Sequence, residues 1–152
     1  MNHALLILTL LMAPLLGFAF NGLRYRSQNY LLAGSVATAM AWISFMCSIG
    51  LYAMLLALPP EARVLETRFF QWMDVGALKV PFGFVVDQIS IIMILVITGV
   101  GSLIHLFSVG YMSHDERPSK YFAYLNLFLF NMLLLVLGDN LLITFVGWEG
   151  VG

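Results

Sequence analysis

Charged side chains are scarce in this sequence. Asp, Glu, Lys and Arg make up 10% of its 152 residues, whereas hydrophobic residues make up 61%. Soluble globular domains carry about 25% charged residues, which they need to cover a water-facing surface. The composition therefore excludes a soluble globular protein and predicts an integral membrane protein. The net charge of −1 gives no basis for binding nucleic acid.

Cysteine and histidine are also rare. Cys47 is the single cysteine, so neither a disulfide framework nor a cysteine-based metal site can form within the chain. The three histidines, His3, His105 and His114, are too far apart in sequence to make a local metal-binding motif. The sequence also lacks a glycine-rich phosphate loop. We therefore expect this chain to hold no cofactor and no metal.

The N-terminus lacks the basic segment that begins a signal peptide. The first Lys or Arg is Arg24, which follows the first apolar run instead of preceding it. The first apolar segment is therefore predicted to be retained as a membrane span.

Long apolar runs dominate the rest of the sequence. A bilayer core of about 30 Å is crossed by about 20 apolar residues in a helix. Four complete spans are predicted at residues 4–22, 30–58, 85–108 and 121–138, followed by a fifth apolar segment at 140–152. This fifth helix would be only about 20 Å long, which is too short to cross. We therefore expect the sequence to be a fragment, or to be completed by something beside it.

A different pattern separates the second and third spans. Residues 69–84 mix aromatic and charged side chains around a Val75–Gly76 turn signal, which predicts a short hairpin outside the membrane core. Trp72 and the phenylalanines suit the membrane–water boundary. The predicted fold is thus all-α and membrane-embedded, with one short hairpin.

The distribution of Lys and Arg predicts the orientation. The loops after spans one and three carry Arg24, Arg26, Arg117 and Lys120. The longer loop after span two carries Arg63, Arg68 and Lys79. Since positive charge concentrates in short inner loops, this bias favours an outside N-terminus and places the hairpin on the outer face.

One carboxylate, Glu149, lies inside an apolar run. It follows Asn140 by nine residues, or about 14 Å of helix, which is near the bilayer midplane. An ionised carboxylate there costs at least about 3 kcal/mol, so it is protonated or paired. Such an acid can relay protons with a nearby cation; the structural alternative is a protonated side chain bonded to a backbone carbonyl. Because all seven Lys and Arg residues lie in loops, we expect its cation outside these residues.

His105 is the second titratable residue inside a predicted span. It lies about 30 Å along that span, near the end opposite to the start of the Glu149 helix. The two side chains are therefore predicted to differ in depth by about 16 Å and not to touch. Two interpretations stay open: a capping or interfacial group, and a relay group at the inner mouth.

Two further acids fall at span ends. Asp87 precedes the run QISIIMILV, where an N-cap carboxylate is favoured, although a relay role is the alternative. Asp139 and Asn140 indicate a turn followed by a helix cap, with a relay role for Asp139 as the alternative.

Three stretches carry a family resemblance: FGFVVDQISIIMILVITGVGSLIH, LIHLFSVGYM and YFAYLNLFLFNMLLLVLGDNLLITFVGWEGVG. They closely resemble the proton-pumping membrane subunits of complex I, NADH–quinone oxidoreductase. The resemblance is to subunit L, called subunit 5 in mitochondria. It covers essentially the whole chain and is most specific from Phe82 to Gly152. The motif GWEGVG is similar to subunit L rather than to subunits M and N or to the related cation/proton antiporters.

The resemblance implies a function for Glu149. This residue matches the essential glutamate of the family's fifth transmembrane helix, which pairs with a lysine on the seventh. Residues 1–152 would then be the N-terminal part of an antiporter-like subunit beside an M-type neighbour. NADH, FMN, iron–sulfur clusters and quinone would belong to other subunits. The family also has an outside N-terminus and an outer-face hairpin, as the charge bias predicts.

Two alternatives stay open at this point. The chain could belong to a multisubunit cation/proton antiporter, or it could be a truncated structural chain that pumps nothing. The predicted location is a bacterial inner membrane, with the mitochondrial inner membrane as the alternative. Alone, the chain is not expected to be catalytic.

Overall fold

The computed structural model describes residues 2–76 and 78–152. Its helices and strands are α1 His3–Leu23, α2 Tyr30–Leu56, β1 Leu65–Val75, β2 Leu78–Val86, α3 Gln88–Tyr111, α4 Pro118–Leu137 and α5 Leu141–Val151. The first four helices are long and apolar enough to cross a membrane, and α5 is shorter. The mostly helical fold is thus confirmed, and a two-stranded sheet lies where the hairpin was predicted. Its placement on the outer face stays a prediction.

Helix ends differ from the predicted span ends for local reasons. Residues 85 and 86, assigned to the third span from sequence, belong to strand β2, and α3 begins only after Asp87 caps it. α4 begins at Pro118 and not at 121, because proline fits the first helical turn, where its missing N–H has no partner to lose.

α4 lies at the centre of the packing and contacts α1, α2, α3 and α5, while α2 also packs between α1 and α3. The helices bury many polar side chains and expose many large apolar ones. On α3, for example, Thr98, Ser102 and His105 are buried, whereas Leu103 and Phe107 are 58% and 72% exposed. Apolar outer faces with polar residues between helices are typical of a bundle that lipid surrounds.

Pro14 lies inside α1 and leaves one backbone carbonyl without its helical donor. A proline has no N–H, so the carbonyl oxygen of Leu10, four residues earlier, loses its usual partner. Ser44 of α2 donates its hydroxyl to that oxygen at 2.9 Å, and both Ser44 and Leu10 are fully buried. This contact shows how the neighbouring helix compensates for the proline.

The hairpin is antiparallel and longer than the predicted 69–84. It pairs Leu65 with Val86 at its base and turns at Gly76, whose φ of 60° lies in the left-handed region that favours glycine. The Phe70 and Phe82 rings stack across the strands with centroids 5.0 Å apart. Such cross-strand aromatic pairs stabilise a two-stranded sheet.

The hairpin is bonded to the connection between α4 and α5. The Asp139 N–H donates to the Gly83 carbonyl at 3.2 Å, and the Asn140 side-chain amide donates to the Pro81 carbonyl at 2.9 Å. Arg68 of β1 lies 4.0 Å from the Asp139 carboxylate. These contacts fix the start of α5, the helix that carries Glu149.

Candidate functional site

Helix α5 packs closely on α4 through glycines. A Cβ at Gly147 would lie 2.8 Å from the Leu135 Cα and 2.9 Å from the Asn131 carbonyl oxygen. A Cβ at Gly150 would collide with the Asn131 side chain. Only glycine allows this approach, so these positions determine which face of α5 turns toward the bundle.

Glu149 lies on the opposite face of α5 and is exposed. Its neighbours there are apolar: Trp148 is 68% exposed and Phe145 is 52% exposed. Within residues 2–76 and 78–152, both ion pairs of the structure involve Arg68, and neither involves Glu149. The acid therefore faces outward from the bundle without a cation from the described part of the chain.

The start of α5 is capped as the sequence indicates. The Asn140 side-chain oxygen accepts from the backbone N–H groups of Leu142 and Ile143, both at 3.1 Å. Asn140 is thus confirmed as the cap. Asp139 accepts from the Asn140 amide at 2.6 Å and lies beside Arg68, so it belongs to the turn.

Asp87 caps α3, as predicted. Its carboxylate accepts from the backbone N–H groups of Ser90 at 2.7 Å and Ile89 at 3.0 Å. The Ser90 hydroxyl in turn accepts from the Asp87 N–H at 2.8 Å, which completes a capping box. The bond from the Ser90 backbone holds the pKa of Asp87 below its ordinary value. These contacts give Asp87 the structural role of capping the N-terminal end of α3.

His105 is buried between helices and not at the end of α3. His105 is only 1% exposed, and α3 continues past it to Tyr111. The cap of α3 is Met112, so the capping interpretation of His105 is wrong. The relay interpretation stays a prediction.

The hydrogen bonds of His105 define its tautomer. Nδ1 lies 2.7 Å from the Gly101 carbonyl oxygen, which can only accept, so Nδ1 carries the proton. Nε2 lies 3.1 Å from the side-chain nitrogen of Asn126, which donates to it. This arrangement of partners corresponds to a neutral imidazole whose Nε2 is an acceptor.

Asn126 joins all four long helices at this level. From α4 its amide donates to His105 of α3 and also to the Ala37 carbonyl of α2, at 3.3 Å. Its side-chain oxygen points at Gly17 of α1, where a Cβ would collide with it. That oxygen is buried and has no hydrogen-bond partner in the described part of the chain.

His105 and Glu149 lie on different sides of α4. His105 bonds to Asn126, whereas the α5 glycines contact Asn131, five residues further along α4. Five residues correspond to about 140° around the helix axis and about 7.5 Å along it. The prediction that the two groups do not touch agrees with these contacts.

The buried asparagines were not singled out from the sequence. Asn21, Asn126 and Asn131 are 0%, 0% and 6% exposed. A polar amide inside an apolar run, as in YLNLFLFNM, is the signal that could have found them, because such a residue needs a partner within the bundle.

In residues 2–76 and 78–152 no group of three His, Cys, Asp or Glu side chains could hold a metal ion.

Comparisons with known proteins agree with the resemblance seen in the sequence. Residues 72–122 match the family model described as NADH-Ubiquinone oxidoreductase (complex I), chain 5 N-terminus. The NADH-quinone oxidoreductase subunit L of Mycobacterium tuberculosis is 44% identical over 142 residues, which is 91% of this chain and 22% of that protein. The subunit L of Rhodobacter capsulatus is 39% identical over 150 residues, or 94% of this chain and 20% of that protein.

A relative named as a chain 5 matches a similar share of this chain. The NADH-ubiquinone oxidoreductase chain 5 of Dictyostelium citrinum is 37% identical over 143 residues, covering 93% of this chain and 21% of that protein. The chain therefore spans about a fifth of the length of these relatives. The resemblance is confirmed: this chain is a homologue of subunit L and chain 5 of NADH–quinone oxidoreductase, over most of its own length.

Proposed function

We propose that this chain is a component of the proton-translocating membrane arm of NADH–quinone oxidoreductase, in which Glu149 relays protons. The observation that carries the proposal is the position of Glu149. It is an acid on an exposed, apolar helix face, without a cation in the described part of the chain. A carboxylate placed this way in a membrane requires a partner or a proton.

The relay follows from the chemistry of the carboxylate. With a cation near, Glu149 is ionised and stabilised. When the cation moves away, a charge within the apolar membrane becomes unfavourable and the side chain takes up a proton. Movement of the cation therefore loads and unloads the acid. We propose that this cation is a lysine on a further helix that covers the outer face of α5.

The rest of the complex supplies the driving reaction. By analogy with the named relatives, NADH oxidation, FMN, iron–sulfur clusters and quinone reduction belong to other subunits, and an M-type subunit is the proposed neighbour. The proposed location is an energy-converting membrane, either a bacterial inner membrane or the mitochondrial inner membrane. The apolar outer faces of α1 to α4 support contact with lipid.

Replacement of Glu149 tests the proposal. In the assembled complex in vesicles, Glu149→Gln keeps the size of the side chain but cannot ionise. We expect NADH-driven proton uptake to fall at least about tenfold, since one essential proton carrier is lost. Glu61→Gln is the matched control, because Glu61 is an exposed acid outside the membrane-spanning helices, and this variant should pump normally.

The outcomes separate the alternatives. Normal assembly and normal uptake in Glu149→Gln would overturn the relay role and favour a structural chain. Proton uptake that requires a sodium gradient and does not depend on NADH oxidation would instead favour a cation/proton antiporter.

A further inference from the structure

The side-chain amide of Asn126, which contacts His105, has only part of its hydrogen-bonding capacity used. Both hydrogens of the Asn126 amide are used, one on His105 and one on Ala37, but its oxygen has no partner among the described residues. The residue is 0% exposed. A buried amide with one unpaired end is costly, and its paired and unpaired ends can exchange places when the charge of its neighbour changes.

We infer that His105 is a proton-binding site inside the bundle and that Asn126 is the group that adapts to its charge. The Nε2 atom of His105 forms a bond to a proton taken from water, which converts the neutral imidazole into an imidazolium. An imidazolium has two N–H donors and no acceptor. Nδ1 keeps its bond to Gly101, while Nε2 now needs an acceptor in place of the Asn126 donor.

Asn126 can provide that acceptor by turning its amide. A half-turn about the last side-chain bond exchanges nitrogen and oxygen, so the unpaired oxygen takes the place of the nitrogen beside Nε2. The charged N–H then donates to an amide oxygen, a stronger bond than the neutral one that it replaces. The turn gives up the bond from Asn126 to Ala37 of α2, places the amide oxygen beside the Ala37 carbonyl, and moves the amide N–H groups to the position of the unpaired oxygen; the charged hydrogen bond must offset these losses.

Two hydroxyl groups lie between the level of His105 and the end of the bundle where α4 begins, and neither is bonded to the imidazole in the described residues. Ser108, one turn beyond His105 on the same face of α3, lies 3.0 Å from the Tyr121 hydroxyl near the start of α4. Ser108 is buried, whereas Tyr121 is partly exposed. These hydroxyl groups can both donate and accept, as proton transfer requires.

No charged side chain is bonded to His105 in the described residues. On the helices packed around His105, the titratable or charged side chains are His3 on α1, Tyr30, Cys47 and Tyr52 on α2, and Lys120, Tyr121 and Tyr124 on α4. None is a hydrogen-bond partner of His105 in the described residues. Charge on the imidazole is therefore stabilised chiefly by Gly101 and Asn126.

Histidine and asparagine ¹⁵N signals test the inference directly. The full chain, labelled in both residue types, is reconstituted in lipid vesicles and followed from about pH 8.5 to about pH 5, across the range where histidine changes charge. At high pH we expect protonated Nδ1 and unprotonated Nε2 for His105. At low pH we expect Nε2 to become protonated while the Asn126 amide signals shift over the same pH interval.

Two variants give the matched comparison. Asn126→Leu cannot accept a hydrogen bond, so we expect Nε2 to stay unprotonated throughout. Asn21→Leu removes an equally buried asparagine that donates to Ala33 of α2 at 3.2 Å, and it should titrate as the unmodified chain does.

The inference is overturned if Nε2 of the unmodified chain stays unprotonated at about pH 5 with the helices intact. It is also overturned if Asn126→Leu titrates normally, or if Asn21→Leu has the same effect. Should Asn126→Leu not fold, the unmodified chain decides through the simultaneous shift of its Asn126 signals. The result is independent of Glu149, because Glu149→Gln changes proton uptake in the complex without touching this site.

Discussion

Asp87 shows how a single residue sets the boundary of a membrane helix. Its carboxylate accepts from the backbone at Ser90 and Ile89, and Ser90 bonds back to it. This cap separates the hairpin from α3. The sequence indicated the cap because an acid directly before an apolar run is a local pattern. The environment of His105 could not be found in the same way, since its partner Asn126 is distant in sequence.

The cap predicts a dependence of stability on pH. The hydrogen bonds of Asp87 lower its pKa below 3.8, so the folded state favours the ionised form. The stabilisation is complete above about pH 5 and is lost as the pH falls through 3.8 and below. We expect Asp87→Ala to lower the free energy of unfolding by about 1 kcal/mol at neutral pH. Denaturation in mixed micelles at several pH values measures this effect.

Asp87→Asn is the control for the charge. This substitution keeps a capping oxygen but cannot titrate. The loss of stability at low pH that the unmodified chain shows should therefore be absent. A step of the same size in Asp87→Asn would show that another group causes it.

At the level of helices, the contact between α1 and α2 depends on a proline. Pro14 deprives the Leu10 carbonyl of its donor, and Ser44 replaces it. Pro14 can be seen inside an apolar run of the sequence, but nothing there points to Ser44, because that pairing depends on how the helices pack. The five apolar segments could be predicted from composition and length, while their partners required the three-dimensional arrangement.

A double-mutant cycle tests this compensation. Ser44→Ala should cost about 1–2 kcal/mol, because it leaves the buried Leu10 carbonyl unpaired. In a Pro14→Ala background the cost should fall by about 1 kcal/mol, since residue 14 then supplies its own N–H. Unfolding free energies of the four proteins measure the coupling. Equal costs in both backgrounds would contradict the assignment.

The packing of α5 on α4 depends on Gly147. A Cβ there would lie 2.8 Å from the Leu135 Cα, so one helix must shift. We expect Gly147→Ala to destabilise the chain by about 1–3 kcal/mol through overpacking. Gly110→Ala is the control: it has nothing within 4 Å, so the alanine should be neutral or slightly stabilising. Similar effects of both substitutions on unfolding would contradict the close contact.

At the level of the whole molecule, the acid Glu149 lies on the outer surface of the bundle. The sequence predicted that the cation of Glu149 lies outside these residues, because no Lys or Arg falls within a predicted span. The structure adds the direction: glycines turn one face of α5 inward and leave Glu149, Trp148 and Phe145 on the other. That direction could not be read from sequence, since apolar residues lie on every side of α5.

This arrangement leads to the central claim that the carboxylate of Glu149 carries protons in the assembled complex. The most direct measurement is the number of protons moved per NADH oxidised, in vesicles, for the unmodified complex, Glu149→Asp and Glu149→Gln. We predict that aspartate keeps a large part of the ratio, because it can still ionise, whereas glutamine lowers it at normal assembly. Equal ratios in all three complexes would contradict the claim.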